Sequence, residues 1–480
     1  MKNSCLTSGA GRFCLLLVAA QAWLEGVATP AFTRKYGTSC VTCHEAFPRR
    51  NIVGEAFRLN GYHFIDDELY VKAPLVELGD EAYERLWPKA IWPTTLSTQL
   101  PFSLINRFLL EVDSDGSRDA EVLFLFPEEI ELVWTGTIGK TFSYYGDLIF
   151  IQKDFGGNDI QSWAQLKARV GIHDIVGPEN LINLNIGTVG TQTMGLYPAL
   201  DHNNYTTHYY QYSSWIMPTV NMARSGLSEF RGNPFSLQPQ IGLELYGFGP
   251  RWKYAIGVVS GDVLYPADVA PDDDITFVGT GRNRGAKDGY AQVCYKIGGL
   301  GFDGSDSKVE DPTQASADYW RDDSLIMSAF GYAGSAQITT VDNAGAEWEG
   351  DDAFWRAGFG LQQKYKNLTV AVGYMYGYDD RPYGNLSPDF VPSHTWFAEA
   401  TYYVFPWLLP YGRYEGLLLD LPENIAGLNP DQDTQRVVLG AKALVRANVS
   451  VNLETTLYTQ GADLQSGFDK TIFLLFNLSF

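Results

Sequence analysis

The sequence predicts an all-β protein: a transmembrane antiparallel β-barrel of about 16 strands, with a small α-helical unit ahead of it. Its 48 glycines and 14% aromatic residues are typical of a chain rich in strands and turns. Its charged content of 19% is below the roughly 25% of globular domains. Many segments alternate apolar and polar residues, and every second link between them is short. Outer-membrane barrels have this layout.

Residues 1–28 have the layout of a secretory signal peptide. Lys2 and Arg12 precede an apolar run at 13–20, and small residues allow cleavage after Ala22 or Ala28. The run is too short to cross a membrane. We therefore expect export, a helical unit over 29–95 and a barrel over 96–480.

Beyond residue 95 the segments alternate with a period of two between Gly, Pro, Asn or Asp, as at 141–153, 252–261 and 368–378. The last, TIFLLFNLSF, ends on Phe480 and resembles the C-terminal strand of bacterial outer-membrane barrels. A soluble sandwich is the alternative, but it needs neither so many regular strands nor so many aromatic residues.

The links alternate in length along the chain. The short ones are 137–140, 247–250, 366–367, 406–407 and 447–448, and the long ones are 190–233, 261–287, 335–352 and 379–393. Short turns on one rim and long loops on the other predict periplasmic turns and external loops. The link 299–323 breaks the rule, because its place in the alternation assigns it to the periplasmic rim although it is long. It has room for an extra hairpin.

Cys40, Cys43 and His44 form C-x-x-C-H, a motif typical of c-type haem attachment. Two cysteines three residues apart lie on one face of a helical turn, so both can reach the vinyl groups of one haem. The histidine that follows can bind the iron as proximal ligand. We therefore expect one haem c per chain, with the haem iron bound by His44.

Two other interpretations of the cysteine pair are weaker. A zinc site needs two further Cys or His ligands in a paired motif, and none follows at the usual spacing. A thioredoxin-type dithiol needs a βαβ context, which the pattern does not provide. Cys294 lies in an alternating strand and is most simply a small apolar residue.

A second short helix follows the motif, with Asn51 as its N-cap and Gly61 as its stop. Its Val53 and Phe57, together with Phe47 and Leu59, are expected to pack on the haem. His63 lies just past this helix and is the leading candidate for the distal iron ligand. Met194, His202 and His208 are weaker candidates, and water is a further alternative.

The formal net charge of −21 argues against nucleic acid as a partner, because phosphate binding needs clustered Lys and Arg. It favours attraction of cations. Two acidic groups, 272–274 and Asp113, Asp115 and Asp119, fit solvated turns best. The second partly matches a calcium loop but lacks the bidentate glutamate that such a loop requires.

The segment FTRKYGTSCVTCHEAFPRRNIVGEAFRLNGY, residues 32–62, together with the export signal and the terminal barrel strand, resembles the fused monohaem cytochrome–porin family of outer membranes. The resemblance implies haem attachment at Cys40 and Cys43 and proximal ligation by His44. It also implies iron(II) oxidation at the bacterial outer membrane, although relatives with this layout serve varied metabolisms.

We therefore expect electron transfer between an extracellular donor, with iron(II) the first candidate, and a periplasmic c-type cytochrome. On this hypothesis the chain is an electron carrier or an iron(II):cytochrome oxidoreductase. The helical unit is too small to bury a haem alone, so docking in the barrel lumen is expected. The alternatives are electron export to an external acceptor and a diffusion porin with a haem-bearing gate or sensor. A haem enzyme is a further possibility, but the chain offers no evident distal acid or base.

Overall fold

The computed structural model describes residues 31–46, 49–66, 70–72, 75–77, 95–97, 101–114, 121–154, 160–177, 179–189, 230–231, 240–260, 275–277, 287–305, 311, 321–341, 347–382, 390–420, 433–446, 448–461 and 469–479. The expected signal peptide lies outside these residues. No helix among the described residues is long and apolar enough to span a membrane.

Three short helices open the described chain: α1 (Ala31–Tyr36), α2 (Cys40–Cys43) and α3 (Ile52–Leu59). Between α2 and α3 lies a two-stranded sheet, β1 (His44–Ala46) with β2 (Arg49–Arg50). The described residues 31–72 are called the lumen unit below. A second small sheet, β3 (Leu75–Glu77) with β4 (Thr95–Ser97), separates the lumen unit from the barrel in sequence.

The barrel is a closed antiparallel sheet in which each strand pairs with its neighbours along the chain and the last strand pairs with the first. Its 16 strands confirm the prediction. They are β5 (Phe102–Ser114), β6 (Glu121–Ile138), β7 (Phe142–Asp154), β8 (Ile160–Ile172), β9 (Asn183–Val189), β11 (Gln240–Phe248), β12 (Trp252–Val259), β14 (Asp288–Gly298), β15 (Ser324–Val341), β16 (Glu347–Tyr365), β17 (Leu368–Asp379), β18 (Val391–Tyr402), β19 (Leu408–Leu419), β20 (Thr434–Arg446), β21 (Val449–Gln460) and β22 (Lys470–Ser479).

Two further short strands belong to the long links. β10 (Phe230–Arg231) pairs with the end of β15, and β13 (Ile275–Phe277) pairs in parallel with β8. Each pairs with the part of a long strand that extends beyond its shorter neighbour. β15 continues past the end of β14, and β8 begins before its pairing with β9. The two short strands thereby satisfy backbone groups that would otherwise form an open edge.

Side chains alternate between the two faces of the barrel wall. Leu243, Ile256 and Val293 point outward and are more than half exposed, as expected for a lipid-facing band. The residues beside them on the strands point inward and are buried, among them Glu244 and Gln292. The outer face is thus apolar, while the inner face carries polar and charged groups.

The two rims differ in the length of their links. The short links 139–141, 249–251, 366–367 and 403–407 lie at one rim, whereas the strand ends joined by the long links 190–239 and 260–287 lie at the other. The exposed aromatic side chains of Trp252, Tyr365 and Trp407 lie at the short-turn rim, where an interfacial girdle belongs. A closed barrel with these features is a protein of the bacterial outer membrane, with its short turns in the periplasm.

One predicted link is wrong. Residues 335–341 and 347–352 are not part of a long loop, because β15 and β16 pair from Ser324↔Lys364 to Val341↔Glu347. The Gly and Asp residues at 350–352 are typical of a loop, but pairing with β15 keeps them in β16. In the link 299–323, the described residues contain no strand.

Candidate functional site

The lumen unit lies inside the barrel at the short-turn rim. Its buried Tyr36, Phe57 and Phe64 belong to one apolar cluster with wall residues such as Phe330 and Met375. Hydrogen bonds from the wall reach it on several sides. The unit therefore shares its core with the barrel and closes part of the lumen.

The cysteine pair lies on α2, a single helical turn held by Asn51. The Asn51 backbone N–H donates to the Cys43 carbonyl over 2.9 Å, and its side-chain amide donates to the Thr42 carbonyl over 3.0 Å. The same side chain caps α3 by accepting from Gly54 N–H at 2.9 Å. One residue thus orders both helices, and the predicted N-cap is confirmed.

Gly54 allows α3 to approach α2 closely. A Cβ atom built at Gly54 would lie 2.1 Å from the Cys43 carbonyl oxygen, a distance that no side chain tolerates. The glycine is therefore required by packing, and it fixes the spacing between the second cysteine and α3.

Neither cysteine of the motif is in a disulfide; Cys40 is buried and Cys43 half-buried. Burial raises the pKa of Cys40 to about 11 and that of Cys43 to about 12, with the neighbouring Cys40 adding to the second shift. Both thiols are therefore protonated near neutral pH, which does not favour a redox dithiol. Among the described residues, no group of three or more Cys, His, Asp and Glu side chains is arranged to hold a metal ion.

His44 is half-buried and begins β1, directly before Glu45. The Glu45 carboxylate is fully enclosed and accepts hydrogen bonds from the Lys364 ammonium and the Tyr403 hydroxyl of the wall. It also pairs with Arg49 Nε at 3.1 Å. Burial alone would raise the pKa of Glu45, but Lys364 and Arg49 outweigh it and lower the pKa.

Arg49 extends this contact along the wall. Its guanidinium lies 3.3 Å from Thr401 Oγ1 and 3.7 Å from the Glu399 carboxylate. Glu399 in turn lies 3.9 Å from Arg413, which pairs with Glu415 at 2.9 Å. A chain of alternating charges thus continues the motif segment up the inner face of β18 and β19.

The helix α3 also binds the wall. Lys253 Nζ lies 3.2 Å from Glu55 Oε1, and the Tyr246 hydroxyl donates to the Leu59 carbonyl over 3.2 Å. Within the unit, Glu55 pairs with Arg58 at 2.7 Å. Burial would raise the pKa of Glu55, but Arg58 and Lys253 hold it well below its usual value.

Aromatic rings surround Phe57 on α3. The ring centroids of Phe64, Phe32, Tyr36 and Tyr62 lie 4.8, 4.9, 5.7 and 6.1 Å away. The pairs with Phe32, Tyr36 and Tyr62 are edge-to-face, an arrangement that stabilises beyond its buried area. The cluster makes the interior of the unit apolar and excludes water from it.

His63 follows α3, and both of its ring nitrogens are enclosed. It is close enough to His173, in the link after β8, for its charge to affect that residue. The ring nitrogens of His173 form hydrogen bonds with Ser143 Oγ over 2.7 Å and with the Tyr246 hydroxyl over 3.1 Å. Burial is the main cause that lowers the pKa of His173 to about 4, and the neighbouring His63 is the second cause.

His173, Lys364 and Tyr403 were not predicted from the sequence. A lone histidine in a link and a lysine inside a strand carry no motif, so no sequence signal distinguishes them. Their importance comes from contact with the lumen unit. Gly61 shows how close that contact is, since a Cβ there would lie 2.2 Å from His173 Nε2.

Other candidates fall largely outside the described residues, namely Phe47, Met194, His202, His208, Asp115, Asp119 and 272–274. Asp113 is described, and it accepts a hydrogen bond from Thr471 Oγ1 of the neighbouring strand over 2.5 Å. Cys294 is buried in the inner face of β14.

No protein-family model matches the chain, and a comparison with curated proteins finds no match. Among solved structures, the chain is similar to OmpT of Vibrio cholerae, with a TM-score of 0.45 and 10% identity over 80% of this chain and 98% of that one. It is similar to OmpF of Salmonella typhi in complex with daunomycin, with a TM-score of 0.46 and 10% identity over 80% and 98%. It is also similar to the anion-selective porin from Comamonas acidovorans, with a TM-score of 0.46 and 11% identity over 79% of this chain and 98% of that one. Such distant likenesses concern the barrel alone.

Proposed function

We propose that this chain is an outer-membrane c-type cytochrome joined to a porin-like barrel, and that it passes electrons between an extracellular donor and a periplasmic c-type cytochrome. One observation carries the proposal: the C-x-x-C-H segment is bound to the inner wall at the short-turn rim, through Glu45, Lys364 and Tyr403. Short turns face the periplasm in such barrels. A cofactor on this segment would lie within reach of a periplasmic partner.

The residues at the motif fit one haem c. Cys40 and Cys43 offer two adjacent protonated thiols on one helical turn, the form that adds across a vinyl group to give a thioether. His44 would be the proximal ligand, and the enclosed ring of His63 makes it the first candidate for the distal one. When bound, haem c supplies a one-electron couple.

The chain's own residues have three tasks in this proposal. Asn51 and Gly54 hold the cysteine turn against α3. Glu45 and Arg49 bind the segment to the wall. The aromatic cluster around Phe57 keeps water away, and a dry, low-dielectric setting is a main determinant of haem potential.

Iron(II) is the donor that the charge pattern supports best. The chain carries a net charge of −21, which concentrates cations at its surface. Glu131 and Asp147 add buried carboxylates on the neighbouring strands β6 and β7. A small hydrated cation suits such an acidic protein better than an uncharged organic donor.

The test uses the purified full chain after expression with a c-type maturation system. A covalent haem signal is measured first, in a denaturing gel stained for haem and in the pyridine haemochrome spectrum. Stopped-flow mixing with iron(II), with iron(III) and with a reduced or oxidised periplasmic cytochrome then follows the haem bands. We expect reduction by iron(II) and reoxidation by the cytochrome.

Three outcomes discriminate between the alternatives. No covalent haem contradicts the proposal outright. Oxidation by external iron(III), without reduction by iron(II), supports electron export instead. A haem that exchanges electrons with neither partner, in a protein whose liposomes pass sugars freely, supports a diffusion porin with a haem-bearing gate.

A further inference from the structure

We infer that Lys364 and Tyr403 of the barrel wall are positioning residues for the proximal ligand His44, and that they act through Glu45. The inference rests on the proposed haem attachment. The barrel would then not merely enclose the haem segment but set the geometry of its iron ligand.

The contact joins distant parts of the chain at one carboxylate. Glu45 is 4% exposed, Lys364 is 7% and Tyr403 is 1%. The lysine donates to one carboxylate oxygen and the tyrosine hydroxyl to the other. With Arg49 as third partner, the carboxylate has both oxygens satisfied, so it has one defined orientation.

The wall is firm at this point. Lys364 lies one residue before the end of β16, and Tyr403 directly follows β18. The two positions are tied together by Asn367, whose carbonyl accepts from Tyr403 N–H over 2.8 Å and whose side-chain amide donates to the Tyr403 carbonyl over 2.9 Å. One donor to Glu45 thus lies within strand β16, and the other is held by the turn that follows this strand.

The backbone transmits this fixed point to His44. On one side, the Cys43 carbonyl is bound by Asn51 N–H. On the other side, Glu45 is bound by the wall and Ala46 packs against Tyr403 and Leu409. His44 therefore lies between two anchored residues, and the direction of its side chain depends on both.

The consequence for the site is electronic as well as geometric. Residues that orient a metal ligand tune the metal, and nearby net charge changes haem potential. Without Lys364, one buried positive charge near the proximal ligand is lost, which favours ferric iron. Without the Tyr403 hydroxyl the charge is unchanged, but one constraint on the orientation of Glu45 is lost.

The experiment compares Lys364→Met, Lys364→Arg and Tyr403→Phe in the haem-loaded full chain. Lys296→Met is the matched control, because Lys296 is also a buried wall lysine near the short-turn rim but pairs with Asp322 of the barrel at 2.6 Å. The readouts are the midpoint potential, the low-temperature EPR spectrum and the temperature at which the barrel loses its heat-modifiable gel mobility.

We expect Lys364→Met to shift the reduction equilibrium toward ferric haem by about tenfold, which is about 59 mV for a one-electron couple. Lys364→Arg should restore most of this shift. Tyr403→Phe should alter the EPR spectrum with a smaller change in potential. Barrel mobility should stay as in the parent protein. Equal potentials and spectra in Lys364→Met, Tyr403→Phe and the parent would overturn the inference, as would an equal shift in Lys296→Met.

A second measurement needs no haem. Hydrogen exchange at residues 43–50 is followed in the full chain carrying Cys40→Ser and Cys43→Ser, with and without Lys364→Met. Faster exchange with Lys364→Met, but not with Lys296→Met, supports the anchoring whatever the cofactor. If the parent chain carries no haem yet exchange accelerates, the proposed function fails while the anchoring stands. If haem binds and exchange is unchanged, the inference fails alone.

Discussion

The barrel wall and the lumen unit are stabilised in different ways. Each barrel strand has a hydrogen-bonded neighbour on both sides, so the wall satisfies its own backbone. The lumen unit has helices of six, four and eight residues, too short to be stable alone. Its stability comes from side chains that meet the wall. The wall can therefore form from its own strand pairing, whereas the lumen unit depends on the wall for its stability.

The helix α3 shows this dependence directly. Seven of its eight residues are buried, on every side of the helix. A helix that is buried all round needs neighbours all round. Here they are α2, the aromatic cluster around Phe57 and the wall residues Tyr246 and Lys253. Removing the unit should spare the wall, whereas removing wall contacts should loosen the unit.

The largest expected effect concerns the chemistry of the unit. Replacing both Cys40 and Cys43 by Ser should abolish covalent haem, because no thiol remains for the thioethers, while the barrel keeps its heat-modifiable mobility. Haem staining of a denaturing gel measures the result. Cys294→Ser, which removes a buried cysteine of the wall, should keep its haem. Loss of haem in that control, or retention in the double variant, would refute the assignment.

Deleting residues 31–72 tests the scaffold directly. The wall should still assemble, and its single-channel conductance should rise strongly, because a barrel of about 16 strands leaves an aqueous channel when nothing fills it. Planar-bilayer recording of the deletion and the full chain compares the two. A deletion variant that fails to form heat-modifiable barrels would show that the wall depends on the unit after all.

Gly54→Ala should weaken the unit by about 1–3 kcal/mol, the usual cost of overpacking, because the new methyl group meets the Cys43 carbonyl. Protease sensitivity of the unit in the assembled protein measures the effect. Gly331→Ala is the control, since the nearest heavy atom to a Cβ there, the Arg356 carbonyl oxygen, lies 4.0 Å away. Equal protease resistance in both variants would argue against the tight approach of α3 to α2.

Acid should produce the smallest effect, and only at low pH. The pKa of Glu55 is lowered in the folded unit by Arg58 and Lys253, so the unfolded unit binds a proton first as pH falls. The stability that Glu55 contributes is present above its ordinary pKa of 4.5 and is lost as pH falls through the folded value.

Hydrogen exchange of α3 between pH 7 and pH 3 measures this loss. Glu55→Gln should flatten the part of the profile below about pH 4.5. Asp66→Asn, which changes an exposed carboxylate of the same unit, should leave the profile as in the parent chain. An identical profile for Glu55→Gln and the parent would exclude Glu55 as the source of the acid dependence.

Much of the fold was predictable because it depends on local patterns. Alternation along segments such as 252–261 and 368–378 set the strands, and Asn51 with Gly61 set the bounds of α3. The loop expected at 335–352 was wrong because its strand state depends on a partner strand rather than on its own residues. Cys40, Cys43 and His44 could be predicted as candidate haem residues because the motif lies in their local spacing, and that assignment stays a prediction.

The sequence by itself determined the barrel class, the pairing order and the candidate haem residues, since period, turn chemistry and a short motif are all local. Only the tertiary structure decided what surrounds that motif. Lys364 and Tyr403 lie 319 and 358 residues from Glu45, and His173 meets Gly61 although 112 residues separate them in sequence. Closing the barrel brings these residues together, because the wall curves around the unit and every inward side chain must find a partner there.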